Sequence, residues 1–131
     1  MSDTFLFYPA NCTVEPVVGR IEDVEEEVVS NAVKVYRRWL ISRVHGSENF
    51  AIRLFRIEKG GMSPPDSHKW EHGVVILSGS GVVTLNGREY EVKPGTFLFI
   101  PPGTEHSFRQ TGEDDLVFIC IIPGYAVPPG K

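Results

Sequence analysis

The chain reads as an all-β protein, a barrel or sandwich, on three observations. From Val33 onward, short runs rich in Val, Ile, Phe and Leu are punctuated by Gly, Pro and Asn, the pattern of strands joined by turns. Helical periodicity is weak nearly everywhere. A length of 131 residues at 41% hydrophobic content suits one domain with a real core and is too short for two comfortable ones.

In chain order, residues 1–49 form an N-terminal extension with its own strands, 50–122 the barrel core and 123–131 an irregular tail. The opening MSDTFLFYPANC lacks a basic segment followed by an apolar signal core. No apolar stretch approaches the ~20 residues that span a bilayer, so a soluble, cytoplasmic protein is expected. IEDVEEEVVS admits two readings: its glutamates favour a short helix, its valines an extended edge. Strands are expected at Ala32 to Ser42, Phe50 to Glu58, His72 to Ser78, Gly81 to Leu85, Arg88 to Val92, Thr96 to Ile100, His106 to Arg109 and Leu116 to Ile122. The clearest turn is Asn86-Gly87, whose residues both tolerate the positive φ of a type I′ hairpin. After the last strand, IIPGYAVPPGK carries prolines and glycines that end regular structure.

A net charge of −4 argues against a nucleic-acid partner, since phosphate binding needs clustered Lys and Arg. Basic density appears only in KVYRR, where Arg37 and Arg38 read as a solvated strand edge. Cys12 and Cys120 sit in no CxxC pattern and are expected as free thiols.

Chemistry concentrates in two segments. GMSPPDSHKWEHGVVILSG holds Asp66, His68 and His72, and PGTFLFIPPGTEHSFRQ holds His106. Imidazole and carboxylate are the ligands of mononuclear transition-metal sites. Asp66 and His68 are two apart and share a face if extended. His72, Val74 and Ile76 alternate against Gly73, Val75 and Leu77, and His106 follows the Pro101-Pro102-Gly103 turn. His45, in VHGSEN, reads as a surface histidine, and Glu71 as a solvent-facing charge.

These spacings resemble the small single-domain cupins. That family's first motif is Gly, five residues, His-x-His, three or four residues, Glu, six residues and Gly; Gly60, Asp66, His68, His72 and Gly79 stand at those positions. Its second is Gly, five residues, Pro-x-Gly, two residues, His, three residues and Asn, matched by Gly95, Pro101, Gly103, His106 and Gln110. Asp66 replaces the first His, His72 the Glu and Gln110 the Asn, so three imidazoles and one carboxylate remain at permuted positions. Trp70-Glu71-His72 is similar to a sequence in the family's four-His variant.

The resemblance implies a double-stranded β-helix (jelly-roll) barrel holding one divalent transition metal (Fe, Mn, Zn, Ni or Cu) at His68, His72 and His106. Asp66 is either a fourth ligand or an acceptor that orients an imidazole. It implies a homodimer with contacts before Phe50. It also implies a metal-dependent enzyme acting on a small organic acid, dioxygenase chemistry being preferred over decarboxylase, isomerase or lyase; the alternative is a non-catalytic binder of a sugar or organic acid. In FAIRLFRI, Ala51, Arg53, Phe55 and Ile57 face one way and Phe50, Ile52, Leu54 and Arg56 the other. Arg53 turned inward would hold a substrate carboxylate; a solvated or dimer-facing position is the preferred reading. Trp39, Trp70, Phe97, Phe99, Phe108 and Phe118 read as core or barrel lining. Trp70 and Phe108 join Arg53 as candidate substrate-pocket residues.

Overall fold

The computed structural model describes residues 14–131. Cys12 lies outside them, and Cys120 is a buried free thiol. The described residues form nine strands: β1 (Glu27–Val28), β2 (Val33–Ile41), β3 (Phe50–Met62), β4 (His72–Ser78), β5 (Ser80–Leu85), β6 (Arg88–Val92), β7 (Phe97–Ile100), β8 (His106–Thr111) and β9 (Leu116–Pro123). All ladders are antiparallel, in the order β6-β5-β8-β3-β9-β4-β7, with β2 on β3 and β1 on β2. The expected strands are all present. β3 runs further than expected, to Met62, and that extension reaches Arg109 of β8 while its first half pairs with β9. One long strand therefore joins both walls of a curled sheet, the expected jelly-roll barrel.

Alternation fixes which side faces inward. On β4, His72, Val74 and Ile76 are buried while Val75 and Leu77 are exposed. Ala51 and Ile57 of β3, Val83 of β5 and Leu116 of β9 close the core at 0% exposure. Asn86 and Gly87 take φ of 49° and 80°, as the hairpin requires. Gly79, at φ 76°, lies so close to the Asp115 carbonyl that a Cβ would collide with it. The departure at Gln110 has a use: its buried amide donates to the carbonyls of Gly112 and Asp114 and accepts from Gly60 N–H, joining the two motif regions.

Three readings are corrected. Phe97 and Phe99 are exposed, because side chains alternate along β7 and Leu98 and Ile100 take the inward side. Arg37 and Arg38 are not a solvated edge. Arg37 pairs with Glu27 at 2.6 Å, and Arg38 donates to the carbonyls of Ile21 and Val24, so this basic strand anchors the acidic segment before it. Arg53 is inside the barrel, on the side of Ala51 and Ile57. The acidic segment itself realises both readings, with a 3₁₀ turn at Ile21–Asp23 and an edge strand at Glu27–Val28. The tail packs: Val127 is buried and Lys131 reaches Glu27 at 2.8 Å.

Candidate metal centre and cavity

The two histidine-bearing segments are fastened together by backbone. Asp66 and His106 exchange both N–H···O bonds, at 3.0 and 2.8 Å, and Gly103 N–H donates to the His68 carbonyl. Ser63 continues the seam: its N–H donates to the Phe108 carbonyl, and its hydroxyl accepts from Phe108 N–H. His68 on the loop, His72 at the start of β4 and His106 at the start of β8 thereby converge. One ring nitrogen from each lies within 4.8 Å of the others. A single ion with nitrogen ligands at ~2.0–2.1 Å spans such a cluster after small ring movements.

Hydrogen bonding prepares the nitrogens. His106 Nδ1 lies 3.0 Å from the Thr104 carbonyl, so Nδ1–H donates and Nε2 keeps its lone pair. His72 Nδ1 lies 3.3 Å from Cys120 Sγ, and its Nε2 is buried with no partner among the described residues. A buried orphan nitrogen beside two further imidazoles is what a metal ligand looks like without its metal. Burial pushes the His72 imidazole down to about 3, helped by the His106 and Arg53 charges. Burial also lowers His68, against the pull of Asp66. Both rings are therefore held neutral, the form that ligates.

Asp66 stands beside this trio. Its side chain is 63% exposed, one oxygen accepts from Ser67 N–H, and the other lies 3.5 Å from His68 Nε2. Glu71 is exposed, and His45 caps a 3₁₀ turn through Nδ1, which accepts from Ser42 N–H. Trp70 stacks on His68 with centroids 4.5 Å apart and planes 2° from parallel, fixing that ring.

Below the histidines opens a cavity of about 540 Å³, lined by Arg53, Trp70 and Phe108 among others. Arg53 is 9% exposed and meets no carboxylate among the described residues. One of its terminal nitrogens donates to Cys120 Sγ at 3.0 Å, its Nε has no partner among the described residues, and the guanidinium lies over the rings of Phe55 and Trp39. Desolvation holds its pKa below the usual guanidinium range, and burial raises the Cys120 thiol. Cys120, Trp39, Phe55 and Phe118 belong to the site and were not singled out as pocket residues. The period-two run Leu116, Phe118, Cys120, Ile122 was the available signal for two of them.

Comparison with known proteins agrees with this architecture. The family model described as "Cupin domain" matches residues 53–122. The oxalate-binding protein of Thermotoga maritima is 40% identical over 113 residues, 81% of this chain and 93% of that protein. The polyketide cyclase RemF from Streptomyces resistomycificus superposes with a TM-score of 0.79 at 32% identity, covering 83% of this chain and 80% of that one. Quercetin 2,3-dioxygenase of Bacillus subtilis is 39% identical over 62 residues, 47% of this chain and 18% of the enzyme. The chain spans less than half the length of several other curated relatives, 46% of one and 20% of another.

Proposed function

The chain belongs to the cupin family, and on that footing we propose that it is a metal-dependent enzyme acting on a small organic acid. The observation that carries this reading is the orphaned Nε2 of buried His72, whose ring lies 5.2 Å from that of His68 and 4.9 Å from that of His106 beside a cavity. His68, His72 and His106 hold the ion, and Asp66 acts as the acceptor that orients His68, in keeping with its 3.5 Å contact and its exposure. A divalent transition metal so held supplies Lewis-acid polarisation of a substrate oxygen and, if redox-active, activation of dioxygen.

The protein's own groups define what is bound. Three neutral imidazoles leave the ion's charge uncompensated, and Arg53 adds a buried cation without a carboxylate partner among the described residues. An anionic substrate neutralises both, and Arg53 offers unused N–H groups to a carboxylate. Apolar walls keep water from competing for these contacts. Dioxygenase chemistry stays the preferred subtype, supported by the similarity to quercetin 2,3-dioxygenase. The alternative, a binder without catalysis, draws its support from the oxalate-binding relative.

Elemental analysis of protein purified without added metal, paired with oxygen uptake on a panel of organic acids, tests the proposal. One equivalent of a transition metal per chain and acid-dependent uptake are expected. Binding of an acid with no turnover under any metal would move the protein to the second reading. Absence of metal after loading would remove the enzyme reading and leave the binder to be decided by acid affinity alone.

A further inference from the structure

Resting on the reading of this site as an acid-binding metal centre, we propose that the acid is aromatic, a carboxylate borne on a flat π-system rather than a short aliphatic diacid. Side chains on three inward faces form two layers. Arg53 and Phe55 on β3, Cys120 and Phe118 on β9, and His106 and Phe108 on β8 are each two residues apart, so each strand contributes one polar and one aromatic group to the same side. The register locks the layers, since Arg53 pairs with Cys120 and Phe55 with Phe118.

The aromatic layer is a column. Phe55 and Phe118 stack at 5.3 Å and 15°, Phe118 and Phe108 at 4.4 Å and 18°. Both faces of Phe118 are covered, so it meets the cavity along its edge. Ring edges carry the positive end of the aromatic quadrupole and attract the π-face of another ring. Arg53, held over Phe55 at 4.9 Å and Trp39 at 5.5 Å, adds a cation to the same wall. The wall is therefore apolar and electropositive, which selects an electron-rich ring over an aliphatic group of equal size.

Volume agrees. About 540 Å³ lies within the range that encloses a drug-sized ligand. At roughly 30 Å³ per water, a two-carbon diacid would leave most of this aromatic cavity filled with solvent. A carboxylate at Arg53 places the attached ring against the column, one sulfur atom away from His72.

Calorimetric titration of zinc-loaded and metal-free protein with 2-naphthoate, decahydronaphthalene-2-carboxylate and oxalate tests the proposal. The two larger acids share charge and carbon skeleton and differ in π-electrons. Naphthoate is expected to bind at least tenfold more tightly than its saturated counterpart in both forms. Phe55→Leu, or Phe108→Leu should the first misfold, is expected to reduce that ratio to under threefold with zinc content unchanged. Arg53→Met is expected to weaken both large acids alike. Equal affinity for the two, or preference for oxalate, overturns the proposal. Failure to take up zinc defeats the metal reading instead, and the naphthoate ratio in metal-free protein still decides the aromatic one.

Discussion

Around β1 and β2 the charges of Glu27, Arg37, Arg38 and Arg56 find opposite charges, whereas in the barrel mouth Arg53 finds none among the described residues. Glu27 accepts from Arg37, Trp39 and Lys131. Arg56 meets Glu26, Glu58 and Asp115, and Arg38 meets Glu26 and two carbonyls. In the mouth, Arg53 Nε, Trp70 Nε1 and His72 Nε2 are buried without hydrogen-bond partners among the described residues. Folding alone selects against such orphans, because a buried unsatisfied polar group costs about 1–3 kcal/mol. A satisfied cluster points to architecture and an unsatisfied one to a ligand.

The contrast breaks most visibly at the histidines. Replacing His68, His72 or His106 by Ala should take metal content from stoichiometric to near zero, with the β-sheet circular-dichroism spectrum unchanged. Stoichiometric metal in all three variants would end the metal assignment. Next in size is Cys120, which sits between His72 and Arg53. With Nε2 on a metal, His72 Nδ1–H donates to sulfur. Cys120→Val should therefore weaken metal affinity by about 10–100-fold, and Cys120→Ser should restore most of it. Competition with a chromophoric chelator measures both, and equal affinities for Val and Ser would reduce Cys120 to packing.

The sequence carried the strands and the histidine trio because their signals are local. Alternation around His72, the Asn86-Gly87 turn and the motif spacings need no knowledge of distant residues. Arg53 was ambiguous for a physical reason: alternation in FAIRLFRI defines two faces and does not say which is inside until Ala51 and Ile57 are seen to be fully buried. The Cys120 contacts cross 48 and 67 residues of chain, beyond any local pattern. Phe97 and Phe99 misled because hydrophobicity does not say which face is inside: alternation along β7 gives the inward side to Leu98 and Ile100. Arg37 and Arg38 misled in the opposite sense, as their partners lie before them in the acidic segment.

The paired cluster should behave as ordinary stability. Burial raises the Glu27 carboxyl, and hydrogen bonds from Lys131, Arg37 and Trp39 overcome this to hold it at about 2, below its ordinary value of 4.5. A depressed carboxylate stabilises fully above its unfolded pKa, and the contribution is lost as pH falls from about 4.5 toward 2. Glu27→Gln should cost about 1–3 kcal/mol in urea unfolding at pH 7. It should also flatten the decline of stability over that acid range. An unchanged acid profile would mean that the tie from β1 to Lys131 contributes nothing.

Arg53→Met gives the smallest expected effect, and its sign separates the two regions. Removing Glu27 strips partners from Arg37 and Lys131, so stability must fall. Removing Arg53 relieves a buried cation whose neighbours among the described residues are a thiol and two aromatic rings, with no carboxylate. Methionine fills similar space without a charge to desolvate, and apolar replacement of buried charge is commonly neutral or stabilising. The variant should melt at the wild-type temperature or up to roughly 3–5 °C above it, about 1 kcal/mol for a domain of this size. Calorimetry on metal-free protein isolates this effect from ligand binding. A melting point lowered by several degrees would place Arg53 with the structural network, and the two clusters would then differ in location but not in kind.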